Sequence, residues 1–413
     1  MNEPLLDLGG TLRVASVETT LRNGEAVADR IGITRIANVT TLDTVGIPTW
    51  MAIRPLSKSL TVSQGKGVSH ELAKVSALME SIELYHAEEF VVRGPSRSIV
   101  DALEHSNSFV DPLQLPLRQG ASKLAMDRFE WIEAIGLFSR RSRFVPRHMI
   151  CRDSTAVSHE AMPFISSSNG LASGNTLSEA VLHAALELIE RDQLSFWLVG
   201  LLKGTPRSTT RIDPSSIDNS ICQSLLSKLT DAGLEIAIWH TTSTIRLPAF
   251  SCTIFDSSGN TLFPQRASGH GCHMLKGIAL ARAVSEAAQS RLTHITGSRD
   301  DSGWAKYYND LPSESELNQD WLHRIKTEPS SLNYSSLPEC DPPSSTQDAL
   351  ETIQEELFRV GLPEILIVNL TQPSIGIPVC QAVVPGLEWN AIKDSYTPSP
   401  RMLEFLNLTE VQG

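Results

Sequence analysis

Three stretches of this chain repeat a single polar spacing. Ser76, Glu80 and Glu83 form the first set, His183, Glu187 and Glu190 the second, and Arg282, Glu286 and Gln289 the third. In each, a glutamate stands four positions after the first polar residue, and a Glu or Gln three positions after that. Steps of four and three put each set on one face of a helix. The second set extends back to Glu179, so Glu179, His183, Glu187 and Glu190 make a line with no Lys or Arg in it, and Arg191 stands one position around. Gly67 and Gly174 precede Glu80 and Glu187, respectively, by the same number of positions.

On one helix taken alone, such a line is commonly a solvated face. A solvated face usually interleaves basic residues, however. Uninterrupted carboxylates opposite an apolar stripe repel one another unless cations neutralise them. Carboxylate oxygens are hard ligands suited to Mg2+, which takes one or two protein carboxylates per ion and completes its shell with phosphate oxygens and water. The expectation is that Glu80, Glu83, Glu187 and Glu190 hold magnesium. Arg191, Arg282 and Arg291 would then supply forked positive charge for the phosphates of a metal-bound nucleotide.

Other motifs do not compete. The chain has no G-x-x-x-x-G-K-[ST], no G-x-G-x-x-G after a strand, no H-E-x-x-H and no G-x-S-x-G. Gly65-Lys66-Gly67 is too short for a phosphate-binding loop. It reads equally as a turn before a helix or as a phosphate contact, which keeps Lys66 as a secondary nucleotide-binding candidate. His70, His270 and His273 read as ordinary polar residues, and Cys272 as a small buried hydrophobe.

The elements that must carry these sets are legible as helices. Val75, Leu78, Ile82 and Tyr85 recur at three- and four-residue steps and predict a helix over about 71–90. Leu182, Ala185, Leu186 and Ile189 do the same for about 177–198, and a third helix is expected over about 276–295. Each follows a loop containing glycine. Residues 1–62 read as a strand-rich N-terminal segment, 63–390 as the catalytic domain, and 391–413 as a C-terminal tail. Within the catalytic domain, 298–347 is a polar stretch expected to be an insertion or lid. LLSKLTDAGLEIAIW and IQEELFRVGLPEILIV each read as a helix closed by Gly and followed by an apolar strand, which suggests an internal pseudo-repeat.

The totals exclude several classes. With 413 residues, 41% of them hydrophobic and 20% charged, the chain can form a large core or two domains. A net charge of −12 disfavours nucleic acid and anionic membrane as general partners. Six cysteines without a CxxC pair signal neither a zinc cluster nor a disulfide framework and suit a cytoplasmic setting. No run approaches the length of a membrane helix, and no export signal is read.

The strings SQGKGVSHELAKVSALMESIE, SNGLASGNTLSEAVLHAALELIERD and ALARAVSEAAQSRLTHITGSRDD together resemble the YcaO family of ATP-dependent peptide-modifying enzymes. VVPGLE resembles that family's C-terminal part. The resemblance implies that ATP and Mg2+ are held by Ser76, Glu80 and Glu83, by Asn175 and Glu179, by Glu187, Glu190 and Arg191, and by Glu286, Gln289 and Arg291. Leu84 stands where relatives often carry Arg, so one phosphate contact is missing. The implied fold is α+β, with mixed or antiparallel sheets flanked by helices.

The implied chemistry is attack of a nucleophile on a peptide amide, phosphorylation of its oxygen by ATP, and loss of phosphate. An external sulfur donor would give a thioamide, and a neighbouring Cys, Ser or Thr an azoline. The tail YTPSPRMLEFLNLTEVQG sets its prolines back from the terminus, unlike azoline-forming relatives that end in Pro-x-Pro-x-Pro. IGITRIANVTTLDTVGIPTWMAIRP looks like the subgroup that works beside TfuA-like proteins. The expectation is thioamide formation in a precursor peptide or protein, with a TfuA-like partner and a sulfur donor. An azoline-forming cyclodehydratase and a non-catalytic peptide-binding scaffold are the alternatives, and a homodimer is left open.

Overall fold

The computed structural model describes residues 2–155, 162–203, 211–258, 264–298, 314–389 and 396–411. Two short paired strands, β1 (Leu6–Asp7) and β2 (Leu12–Arg13), lead into helix α1 (Val17–Ala28), which Ser16 caps by accepting from the Thr19 N–H. Strands β3 (Arg35–Asn38), β4 (Thr49–Ile53) and β5 (Val62–Lys66) then form an antiparallel sheet. From its edge strand β5 the chain turns into α2 (His70–Glu88), capped by Ser69.

The largest sheet combines β6 (Ser96–Arg97), β8 (Phe129–Gly136), β9 (Ser142–Pro146), β10 (Leu171–Ser173), β14 (Leu366–Asn369) and β15 (Val379–Val383). Its order is β10-β15-β14-β8-β6, with β9 on β8. Short helices α3 (Ile99–Glu104) and α4 (Arg147–Ile150) flank it, and β7 (Leu117–Arg118) pairs separately with β16 (Tyr396–Thr397). Edge strand β10 feeds α5 (Leu177–Lys203). After α6 (Ser220–Asp231), strands β11 (Glu235–His240), β12 (Ala249–Phe255) and β13 (Arg266–Cys272) build a third sheet, whose edge strand β13 feeds α7 (Lys276–Thr296). Helices α8 (Glu314–Thr327), α9 (Thr346–Arg359) and α10 (Pro400–Val411) complete the chain. All ladders between these strands are antiparallel. The architecture is thus the expected α+β one.

Each of the three polar sets therefore sits on a helix entered from a sheet edge. Glycine allows two of these helices to lie hard against their strands. A Cβ on Gly65 would stand 2.1 Å from the Ala73 carbonyl oxygen and the Ala77 nitrogen, and one on Gly271 would stand 2.1 Å from the Ala279 carbonyl oxygen. Glycine on the strand and alanine on the helix remove the spacers, so α2 and α7 turn their longer polar side chains the other way. Helix α5 is packed on most sides: Ala180, Val181, Leu182, Ala184, Ala185, Leu186, Leu188 and Ile189 are all buried. One core surrounds α2, α5 and the largest sheet, and a second surrounds α6, α7 and the third sheet.

Within the 1–62 segment, read from sequence as strand-rich, lies α1. A cut at 62/63 would sever β5 from β4. Of the 298–347 stretch, 299–313 lies outside the described residues. Past that gap, Trp321 packs against Trp197 and Trp239, and Tyr334 is buried, so this portion is docked on the body. The 391–413 tail contains α10, whose Met402 is 1% exposed. The α6–β11–β12 and α9–β14–β15 segments both run helix, strand, antiparallel strand, and this shared order alone does not establish a repeat.

Candidate active site

Helices α2, α5 and α7 enclose one cavity of about 550 Å³. Lys66, Ser76, Glu80, Glu83, Glu179, Glu187, Glu190, Arg191, Arg282, Glu286 and Gln289 all line it. The acidic line on α5 is therefore no solvated face: Glu179 is 2% and Glu190 4% exposed.

The backbone holds the glutamates in place. Glu83 accepts from the Ser173 N–H at 2.8 Å and the Ser173 hydroxyl at 2.7 Å, which ties α2 to the edge strand β10. Glu187 accepts from the Gly170 N–H at 3.2 Å, and Glu190 from the Cys272 N–H at 3.1 Å. Glu179 accepts from the Val14 N–H at 2.8 Å. On α7, Glu286 faces the Lys66 ammonium at 2.6 Å, and Gln289 donates to the Gln64 carbonyl oxygen at 2.8 Å.

Crowding these carboxylates shifts their protonation. Burial, reinforced by Glu80 and Glu187 and opposed by the Ser173 hydrogen bonds, pushes Glu83 up to about 8. Burial also raises Glu187 to about 7, with Glu190 adding to the effect and Arg191 opposing it. Burial works against Glu286 as well, but Lys66 and Arg191 outweigh it and hold this carboxyl low. Arg191 is kept firmly charged against its own burial by Glu190, Glu286 and Glu187.

A cationic corner faces the acidic wall. Arg13 and Arg282 both line the cavity beside His183. An Arg13 N–H donates to His183 Nδ1 at 3.2 Å, which makes Nδ1 an acceptor and places the ring proton of the neutral histidine on Nε2. Burial together with Arg13 and Arg282 holds His183 well below its ordinary value. His183 Nε2 and Arg282 Nε are buried donors with no hydrogen-bond partner among the described residues.

These features fit a metal-bound nucleotide. Buried donors without partners suit an anionic ligand, and carboxylates with raised affinity for protons suit cations in the same space. Among the described residues no three His, Cys, Asp or Glu side chains converge closely enough to enclose a metal on their own. Mg2+ ordinarily borrows phosphate oxygens and water for most of its shell.

Two expected residues lie elsewhere. Arg291 does not line the cavity. It is buried, 3.0 Å from Asp43 and 3.3 Å from Asp256, and donates to the Pro264 carbonyl oxygen. Asn175 stands at the cavity's edge, where it accepts from the Thr20 hydroxyl at 3.0 Å and donates to Glu179 at 3.2 Å. Sequence reasoning missed Arg13 and the turn before it. Gly9 and Gly10, at φ of 73° and 93°, bring Thr11 and Arg13 onto the cavity. Two adjacent glycines followed by Thr and Arg were the available signal.

Residues 64–388 match the family model described as YcaO cyclodehydratase, ATP- and Mg2+-binding. A Rhizobium leguminosarum bv. trifolii protein, known as an uncharacterized protein in the tfuA 3′ region, is 33% identical over 86% of this chain and 84% of its own length. The solved structure of YcaO from Methanopyrus kandleri bound with AMPPCP and Mg2+ is similar at a TM-score of 0.73 and 21% identity, over 94% of this chain and 95% of that one. A heterocyclase in complex with substrate and cofactor is similar at a TM-score of 0.72 and 21% identity. The match covers 98% of this chain but only 57% of the heterocyclase.

Proposed function

This chain belongs to the YcaO family, whose cofactors are ATP and Mg2+, and from that premise we propose that it activates a peptide backbone amide for thioamide formation. The observation that carries the amide-activation reading is the convergence of three polar, glutamate-bearing helix faces, with Arg191 and Arg282 among them, on one cavity. ATP supplies the phosphoryl group that makes the amide oxygen a good leaving group. Hydrosulfide adds to the amide carbon, the oxygen is phosphorylated, and the C–O bond breaks. The products are thioamide, ADP and inorganic phosphate.

In this reading Glu80, Glu83, Glu187 and Glu190 bind the magnesium ions. Arg191 and Arg282 balance charge on the transferred phosphoryl group. Lys66, Ser76, Asn175, Glu179, Glu286 and Gln289 position the nucleotide directly or through these groups. Arg13 fixes the tautomer of His183, which leaves Nε2–H as the ring's donor.

The relative in the tfuA 3′ region supports a TfuA-like partner, and the sulfur chemistry is what the resemblance to the TfuA-associated subgroup implies. The family's cyclodehydratase description and the similar heterocyclase favour a second reading, azoline formation on Cys, Ser or Thr of a precursor peptide. Mass spectrometry of a co-encoded peptide after incubation with the protein, MgATP and sulfide, with and without the neighbouring partner, separates these readings. Exchange of oxygen for sulfur establishes thioamidation, and loss of water establishes azoline formation. No ATP-dependent change in any peptide would leave only a scaffold.

A further inference from the structure

A second cavity, of about 380 Å³, lies beside the first and shares Thr20 and Met79 with it. Helix α1, the loop before α5 and residues 375–378 surround it. The two spaces differ sharply in charge. Among the described residues, six glutamates and four Lys or Arg side chains line the first, whereas no ionisable side chain lines the second.

The walls of the second cavity are built structure. The Gly174 N–H donates to the Pro378 carbonyl oxygen at 3.0 Å, and the Gly376 N–H to the Gln372 carbonyl oxygen at 3.0 Å. At the border that the two spaces share, the Thr20 hydroxyl donates to Asn175 at 3.0 Å and the Asn175 amide to Glu179 at 3.2 Å. One end of that border is neutral, and the other belongs to the acidic wall.

A polyphosphate finds no counter-charge in the second cavity, so the nucleotide belongs in the first. The acceptor of a phosphoryl group must bring its oxygen to within about 3–3.5 Å of the reacting atom, and so it must occupy space continuous with the nucleotide's. Val27, Ile375 and Ile377 offer apolar contact to such an acceptor, while the amide of Asn23 can pair with peptide N–H and C=O groups. Gly174 and Gly376 bring backbone, not side chains, to its border.

We infer that this second cavity seats an uncharged, small-residue peptide segment carrying the amide to be activated, an inference that rests on the amide-activation reading. Ala26 lies exposed on α1 at the cavity's edge, so Ala26→Trp fills the space without disturbing the core. The probe is a fluorescein-labelled, terminally blocked heptapeptide of Gly, Ala and Val, titrated by anisotropy onto the full-length protein loaded with Mg2+ and AMPPCP. Nucleotide affinity is measured in parallel.

The expected result is that A26W weakens peptide binding by about tenfold or more, the scale of a few lost apolar contacts, and leaves nucleotide affinity unchanged. An analogue with Asp or Lys at the central positions should bind comparably worse to the unsubstituted protein. Equal peptide affinity in A26W and the parent, absent binding to the parent, or equal binding of the charged analogue would each overturn the inference. Peptide binding that responds to A26W in a protein that never changes peptide mass with ATP would instead remove the amide-activation reading and keep the subsite.

Discussion

The Lys66 ammonium stands 2.6 Å from the Glu286 carboxylate and joins the end of β5 to α7 at the wall of the cavity enclosed by α2, α5 and α7. Both side chains are about one-fifth exposed, at 20% and 18%, so water screens the pair only partly. Removing the lysine leaves a carboxylate that burial alone would drive toward protonation. Lys66→Met is therefore expected to weaken MgATP binding by about tenfold, and a double-mutant cycle with Glu286→Gln should give a coupling of about 1–3 kcal/mol. Additive effects in isothermal titration would mean that the two residues act separately on the nucleotide.

Glu83, at about 8, and Glu187, at about 7, give the protein a pH signature. Both native values lie above the ordinary 4.5, so over that window the folded chain holds protons that the unfolded chain has lost. Stability of the ligand-free protein should fall as pH rises through this range. Bound cations favour the ionised carboxylates, so MgATP should flatten the decline and release protons on binding. Calorimetry at pH 7 in two buffers of different ionisation enthalpy measures that release directly; binding heats independent of buffer would contradict it.

Glu83→Gln keeps an oxygen for the Ser173 N–H and hydroxyl while removing the charge. The ligand-free variant should melt at or above the parent temperature at pH 8, because a repelled carboxylate has gone. ATP-dependent peptide modification should nonetheless drop by about 100-fold or more, as when a preorganised charge at a reacting centre is lost. A variant equally active and equally stable would place Glu83 outside the chemistry.

Helices α2, α5 and α7 were legible because their apolar stripes keep helical spacing over several turns. Their polar faces were legible because three sets share one spacing. Helix α1 was not, since VETTLRNGEAVA carries few apolar residues and is fixed largely by packing against α2 and by the Ser16 cap. The reading of Arg291 as a phosphate contact illustrates a different limit. It stands five residues after Glu286, which turns it about 140° around the helix from that glutamate. The motif spacing alone does not say which side of α7 meets the cavity.

Arg291 instead joins α7 to Asp43 and Asp256, and the Asp43 side chain is only 1% exposed. Arg291→Met should destabilise the fold by about 3–5 kcal/mol, the usual consequence of stranding a buried charge. Asp43→Asn in the same chain should recover part of that loss. Nucleotide affinity, measured on the folded fraction, should stay at the parent value; a selective loss of affinity without loss of stability would return Arg291 to the nucleotide site.

The same logic applies at the C-terminus. Asp192, one residue past Arg191 on α5, is fully buried and meets Arg401 of α10 at 2.8 Å. It also accepts from the Glu388 N–H, while Glu388 accepts from the Ser399 N–H, so the tail is strapped to the helix that carries Glu187 and Glu190. Burial raises Asp192 and Arg401 opposes the rise, so Arg401→Met strands a charge beside the site. The melting temperature should fall, and fall further at pH 8 than at pH 5, where a proton can replace the lost cation. In an Asp192→Asn background the same substitution should cost much less. Equal losses in both backgrounds would mean that α10 docks through its apolar contacts with Phe196 and Val199 alone, and that the strap contributes nothing to holding α5.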